Sequence, residues 1–308
     1  MKGEKGFALI ITLVVTVLLA TLAVEFVYEV YVGTSARTNF RDGQQAALLA
    51  EAGITGGVKL IQMTLTKQNY TSLLDSWAFP LEKADQTGAV QVTIEEESGK
   101  LNLNRISLPN GTFQEPNYGQ AGRLLKNLGL STDLLESLAD WVDENETPHP
   151  NGAETNYYQT LRTPYTAKNS AVESLEELRL VKGFSEKVLE KIRPFVTVYA
   201  DDRLSPTALI NINTAPRAVL AVLDDQMTGS LTERILESRK TRPFSSTADL
   251  AKVPGMETLA ITLQGKIQVK GAVFRLRSTA KVRETTRVIE AVARLSGSQA
   301  TFLYWREF

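Results

Sequence analysis

The chain has no cysteine and only one histidine among its 308 residues. Without thiols there is no disulfide framework, no thiolate zinc or iron–sulfur site and no cysteine nucleophile, although the compartment stays open because exported bacterial proteins also lack Cys. The lone His149 leaves few options for acid–base catalysis. An excess of either charge is missing as well. Lys and Arg number 34 against 35 Asp and Glu, a net charge of −1, so no global electrostatic footprint for nucleic acid is present. No P-loop, dinucleotide fingerprint or nucleophile elbow occurs. Asp201 and Asp202 are adjacent, which prevents them from flanking a bond as glycosidase acids do, and they read as surface residues. Nothing in the sequence points to an enzyme. What remains, 43% hydrophobic and 22% charged residues over this length, describes a globular chain with two folded parts.

The apolar residues are concentrated at the start. From Phe7 to Val24 run 18 residues without a charge, enough to cross a bilayer as a helix of about 27 Å. Lys2 and Lys5 precede this run, and Glu25 and Glu29 follow it, which places the N-terminus in the cytoplasm by the positive-inside rule. A cleavable secretory signal is the alternative, but the run exceeds a 7–15-residue h-region and passes without a polar cleavage zone into Phe26, Val27, Val30 and Val32. No proline occurs before Pro80. One helix is therefore expected from Phe7 to about Met63, amphipathic in its second half, where Ala46, Ala47, Leu49, Ala50, Ile54, Val58 and Ile61 recur at helical spacing.

Further on, Val90, Val92 and Ile94 alternate with polar residues as in a half-buried strand, and Leu101 to Asn104 reads as a second. Glu95, Glu96 and Glu97 between them read as a solvated turn. A helical period runs through Leu124, Leu125 and Leu128, then Leu134, Leu135, Leu138, Trp141 and Val142, with more helical text at 174–180 and 185–193. Strand-like text returns at 194–199 and 209–214 and near the end at 266–269, 273–282 and 287–295. These segments predict an antiparallel meander packed on the lower half of the long helix.

The most chemically suggestive stretch is 139–158. Asp140, Asp143, Glu144, Asn145, Glu146, Asn151, Glu154 and Asn156 fall within 17 residues, and such mixed oxygen donors suit calcium, which takes 6–8 of them. Asp140 and Asp143 lie at a helix C-terminus, where the dipole disfavours negative charge. The segment is not an EF-hand, because Pro148 stands where that loop needs Gly. A solvated acidic loop is the alternative. His149, between two prolines, reads as a surface residue with no second His or Cys to complete a zinc site.

A weak internal repeat pairs 174–184 with 246–256. It is similar to helix-hairpin-helix proteins of DNA uptake, so a membrane-anchored, periplasmic DNA-binding protein is the rival from another class. Asp224 and Asp225 stand where a phosphate would approach and repel it, which favours compact structural turns instead.

The start of the chain, KGFALIITLVV, resembles the leader of type IV pilins and pseudopilins. That resemblance implies a leader at 1–6, cleavage after Gly6 by a prepilin peptidase and N-methylation of Phe7. Most members carry Glu as the fifth mature residue, and here that position is Ile11. Its absence, together with the segments DWVD, NGAE and YY, is similar to the minor pseudopilin K family of type II secretion systems. The resemblance implies an α/β (α+β) type IV pilin-like fold: a transmembrane and amphipathic helix at 7–63, a pilin-like part at 64–105 and 209–308, and a helical insertion at 106–208. It further implies a Ca2+ site, for which Asp140, Asp143 and Glu154 are the strongest candidates, with Asn145 and Asn156 behind them. The implied role is a non-enzymatic one at the tip of the pseudopilus. There the subunit starts assembly with minor pseudopilins I and J and the major pseudopilin, contacts secreted substrates, and binds no nucleic acid. The implied location is the bacterial inner membrane, with the soluble part in the periplasm.

Overall fold

The computed structural model describes residues 4–201 and 208–308; Lys2 and Asp202 lie outside them. Helix α1, Glu4–Lys67, is 64 residues long and rises about 96 Å. Its first half is exposed and contains an 18-residue window of mean hydropathy 2.8, long and apolar enough to cross a membrane. Its second half buries Ala46, Ala50, Ile54, Val58 and Ile61, one stripe at helical spacing. The helix runs one turn past Met63 because its stripe continues to Leu65 and its end is capped. The ammonium of Lys270 donates to the carbonyls of Leu65 at 2.8 Å and Gln68 at 3.1 Å, supplying the partners that terminal carbonyls lack.

Strand β1, Leu81–Asp85, turns into β2, Gly88–Glu96. The chain then leaves the sheet through β3, Leu101–Asn102; α2, Asn117–Asn127; α3, Asp133–Val142; α4, Thr155–Gln159; α5, Glu186–Ile192; and β4, Val196–Thr197. It continues through β5, Ile210–Asn211; α6, Arg217–Leu220; α7, Gly229–Thr241; α8, Leu259–Thr262; and β6, Ile267–Gln268. It closes with the meander β7, Val273–Val282; β8, Thr285–Ser296; and β9, Gln299–Glu307. The antiparallel sheet has the order β1-β2-β7-β8-β9. Two-residue turns join β7 to β8 and β8 to β9. Arg283, at positive φ in the first turn, pairs with the buried Asp42 of α1 at 3.3 Å.

Alternation divides the sheet between two cores. Val92, Ile94, Phe274, Leu276, Ile289, Ala291 and Ala293 face α1, whereas Val273 and Val292 point the other way and join the core of the helical lobe. Helix and sheet approach so closely at Gly53 that an added Cβ would meet Ser278 Oγ and lie 2.9 Å from Val92 Cγ2. Gly56, three residues on, has open space around it. Gly53→Ala is expected to cost about 1–3 kcal/mol by overpacking, while Gly56→Ala gains up to about 1 kcal/mol of helix stability. Urea titration of both variants checks this, and equal effects of one sign would refute the close approach.

The structure corrects four expectations. The strand-like segments at 101–104, 194–199, 209–214 and 266–269 are not part of the main sheet. They pair instead as two short parallel ladders, Leu101↔Val196 with Asn102↔Thr197, and Ile210↔Ile267 with Asn211↔Gln268. Period two marks a strand without naming its partner. The lobe between sheet strands therefore runs from 97 to 272 rather than 106 to 208, and one hydrophobic core joins Leu135 and Leu178 to Val219, Ile235 and Leu250. Edge strands β1 and β9 had no alternating signal, because β1 is polar and β9 is largely exposed on both faces. Finally, Glu95 is exposed but Glu96 and Glu97 are buried, where a solvated turn was expected.

Candidate metal centre

Helix α3 forms because Leu134, Leu135, Leu138 and Trp141 make one buried face, with Asp133 and Glu136 in the first turn complementing the dipole. Its other end carries Asp140 in the last turn and Asp143 at the C-cap, both fully buried. This end is held from below by aromatic packing. The ring of Trp141 meets Tyr158 edge-on at 5.1 Å and its indole N–H donates to Glu177 at 3.1 Å.

The following loop folds back over the two aspartates. The His149 main-chain N–H lies 3.2 Å from both carboxylate oxygens of Asp140, and His149 Nδ1 lies 2.5 Å from Asp140 Oδ1. Asn145 N–H donates to Asp143 Oδ1 at 3.0 Å, and Asn145 Oδ1 accepts from Thr147 N–H at 2.7 Å. The return of the loop is fixed by Glu136, which accepts from Asn151 N–H at 2.7 Å, and by Lys182, which donates to the carbonyls of Asn151 and Gly152. Gly152 is required there, since an added Cβ would collide with Asp140 Oδ2.

Glu154 then enters as the N-cap of α4, 3% exposed. Both of its carboxylate oxygens, and Asp143 Oδ2, are buried without a hydrogen-bond partner. Burial, and after it the charges of Asp140, Asp143 and Glu146, push the Glu154 carboxyl up to about 8. Burial also pushes the Asp143 carboxyl up, against the Asn145 N–H that lowers it. Buried carboxyls without partners are costly to ionise, and a divalent cation among them offsets that cost. The donor set therefore fits a metal ion.

The structure brings Asp140 and Asp143 together with Glu154 close by, and Asn145 touches Asp143. Asn156 is exposed on α4. The reading of His149 as a surface residue is corrected: its side chain is 19% exposed and its Nδ1 lies with Asp140 and Asp143 oxygens in a group whose ligand atoms are all within 4.8 Å of one another. The available signal was the rigidity of Pro148 and Pro150 on either side, which fixes where an intervening side chain points. Asp201 is likewise no free surface residue, for it accepts from Ser98 at 2.5 Å and Gln268 at 2.6 Å.

At the other candidate site, both copies of the repeat form a 3-10 turn after a serine, Leu175–Leu180 and Thr247–Lys252, and end on Gly183 and Gly255 at positive φ. Asp224 and Asp225 are engaged internally, with Lys266 at 3.1 Å and Arg123 at 2.7 Å. An acidic, self-paired hairpin is poor for phosphate.

Residues 99–201 and 210–270 match two family profiles, both described as type II secretion system protein K. The chain is 29% identical to type II secretion system protein K of Pseudomonas aeruginosa, over 82% of this chain and 77% of the relative. It is 27% identical to the Aeromonas hydrophila protein K, over 94% and 93% of the two chains. A chain in the crystal structure of the GspK–GspI–GspJ complex of enterotoxigenic Escherichia coli shares the fold with a TM-score of 0.76 at 20% identity, covering 89% of this chain and 99% of that one. These relatives lend no support to the DNA-binding alternative. The chain belongs to the protein K family of type II secretion systems, and its role is that of a minor pseudopilin.

Proposed function

We propose that this minor pseudopilin caps the tip of the periplasmic pseudopilus and starts its assembly with minor pseudopilins I and J. The observation that carries this reading is where the lobe is attached. Lys270 holds the last carbonyls of α1, and Thr71 N–H donates to Val269 O at 2.9 Å. The lobe thus joins the end of α1 opposite Phe7, more than 80 Å of helical rise away. A mass there crowds any subunit stacked beyond it but not those below. In this reading the exposed start of α1 anchors the chain in the inner membrane with the soluble part in the periplasm. The leader is removed after Gly6 by prepilin peptidase, Phe7 is N-methylated, and α1 then packs on the major pseudopilin. The secreted substrates meet the lobe. Gold particles directed to the lobe in isolated pseudopili should mark one fibre end, and labels spaced along the fibres would overturn the tip position.

Ile11 bears on the order of assembly. A first subunit has no neighbour above whose N-terminus needs a carboxylate, and an unpaired charge in the membrane is costly. Ile11→Glu is expected to lower membrane insertion and tip incorporation. Unchanged insertion, stability and assembly would count against this account.

The acid cluster is read as a Ca2+ site held by Asp140, Asp143 and Glu154, with Asn145 beside them. Bound there, the cation supplies positive charge that neutralises the buried carboxylates and fastens the loop to α3. In the full chain in detergent, Ca2+ at about 100 times its Kd should add about 2.7 kcal/mol of stability. Chelation should lower the melting temperature correspondingly, and Asp143→Ala should abolish the difference. A melting temperature indifferent to Ca2+ would leave a solvated acidic loop.

A further inference from the structure

We infer that His149 is a nitrogen ligand of this centre, so that the site takes a first-row transition dication of the Zn2+ and Mn2+ class in competition with Ca2+. The inference rests on the reading that a cation occupies the acid cluster. Its ground is the juxtaposition of His149 Nδ1 with oxygens of Asp140 and Asp143, all within 4.8 Å of one another, a span that ligands around one ion occupy. The imidazole is not a passing surface group. Its ring stacks on Phe113 at 4.5 Å, the main-chain N–H of His149 donates to Asp140, and prolines flank the residue on both sides.

A second observation, unsatisfied hydrogen bonding, also points to a ligand. Asp143 Oδ2 and both Glu154 oxygens are buried and have no partner. Two carboxylates and one imidazole, with the Glu154 carboxylate nearby, make an O/N donor set. Ca2+ selects oxygens and gains little from imidazole, whereas Zn2+ and Mn2+ accept His with carboxylates. A depression of about 680 Å³ lined by Asn110, Gly111, Phe113, Asn145 and His149 opens to solvent beside the ring.

The test uses the metal-stripped full chain in detergent, titrated separately with Zn2+, Mn2+ and Ca2+, as wild type and His149→Asn. In the variant, Zn2+ affinity should fall by at least about tenfold while Ca2+ affinity changes little. Mn2+-loaded wild type should show nitrogen-14 modulation in pulsed EPR that the variant lacks. This spectrum on wild type decides the matter even if the variant fails to fold. Absent nitrogen modulation, or Zn2+ binding unaltered by His149→Asn, would overturn the inference. Wild type that binds Ca2+ but neither transition ion sinks the inference and leaves the calcium reading standing. Binding of Zn2+ and Mn2+ without Ca2+ does the reverse, and binding of no ion removes both.

Discussion

Arg275→Met is expected to destabilise the chain by about 3–5 kcal/mol, the range for removing one partner of a buried ion pair. Arg275 projects from β7 on the face away from α1, and its Nε donates to Glu97 Oε1 at 2.9 Å while its Nη1 engages Glu290. Glu97 is 0% exposed and one of its oxygens has no partner at all. Burial alone pushes the Glu97 carboxyl up, but Arg275 and Lys100 outweigh it and hold the carboxyl below its ordinary value. A depressed carboxyl contributes stability that is present above its unfolded value and is lost as the pH falls from there through its lower folded value. Lys100, 3.0 Å from the same oxygen, remains in the variant and keeps the loss toward the lower end. Adding Glu97→Gln to Arg275→Met should recover part of the loss, since the fully buried carboxylate charge is then gone. Urea titrations of the single and double variants measure this. A single-variant loss under about 1 kcal/mol, the scale of a surface pair, would refute the argument.

Glu96, one residue earlier, behaves in the opposite way. Its carboxyl is pushed up to about 7, first by burial and then by Asp201, against hydrogen bonds from Thr71, Asn211 and Thr214. The Asn211 bond is 2.6 Å and the Thr214 bond 3.2 Å. Between about pH 4.5 and 7 the folded chain keeps a proton that the unfolded chain has lost. Stability therefore falls as the pH rises through that window, by about 3 kcal/mol from this group alone at 1.36 kcal/mol per unit. Glu96 ties the end of β2 to Thr71 after α1 and to Asn211 in the lobe, so its ionisation strains the joint between sheet and lobe. Glu96→Gln should make the slope between about pH 4.5 and 7 shallower and leave a slope of the same sign from Asp201, Asp143 and Glu154, whose carboxyls burial also raises. Melting curves between pH 4 and 8 decide it, and an unchanged slope in the variant would place the titration elsewhere.

Long-range pairing explains why these two glutamates were misread. In the sequence, Glu95 to Glu97 is an acidic triplet at the end of a strand, and nothing local distinguishes it from a turn. Arg275 is 178 residues away and Asn211 115 residues away. The same holds for the short ladders, in which Leu101 meets Val196. At the proposed metal centre the contributions divide differently. Asp140, Asp143 and Glu154 stand out by residue type and by their place at a helix end, whereas His149 enters only because the loop closes over Asp140.

The sequence by itself determined the elements whose signal is periodic and local: the apolar start and buried stripe of α1, the alternating strands β2, β7 and β8, the helix α3 and the acidic loop behind it. Hydrophobic period and composition act over neighbouring residues, so they are legible in one dimension. Only the tertiary structure decided the extent of the lobe, the burial of Glu96 and Glu97, the capping of α1 by Lys270 and the seat of His149. Each of these depends on which distant backbone or charge comes to lie beside a given residue, and no local pattern encodes that choice.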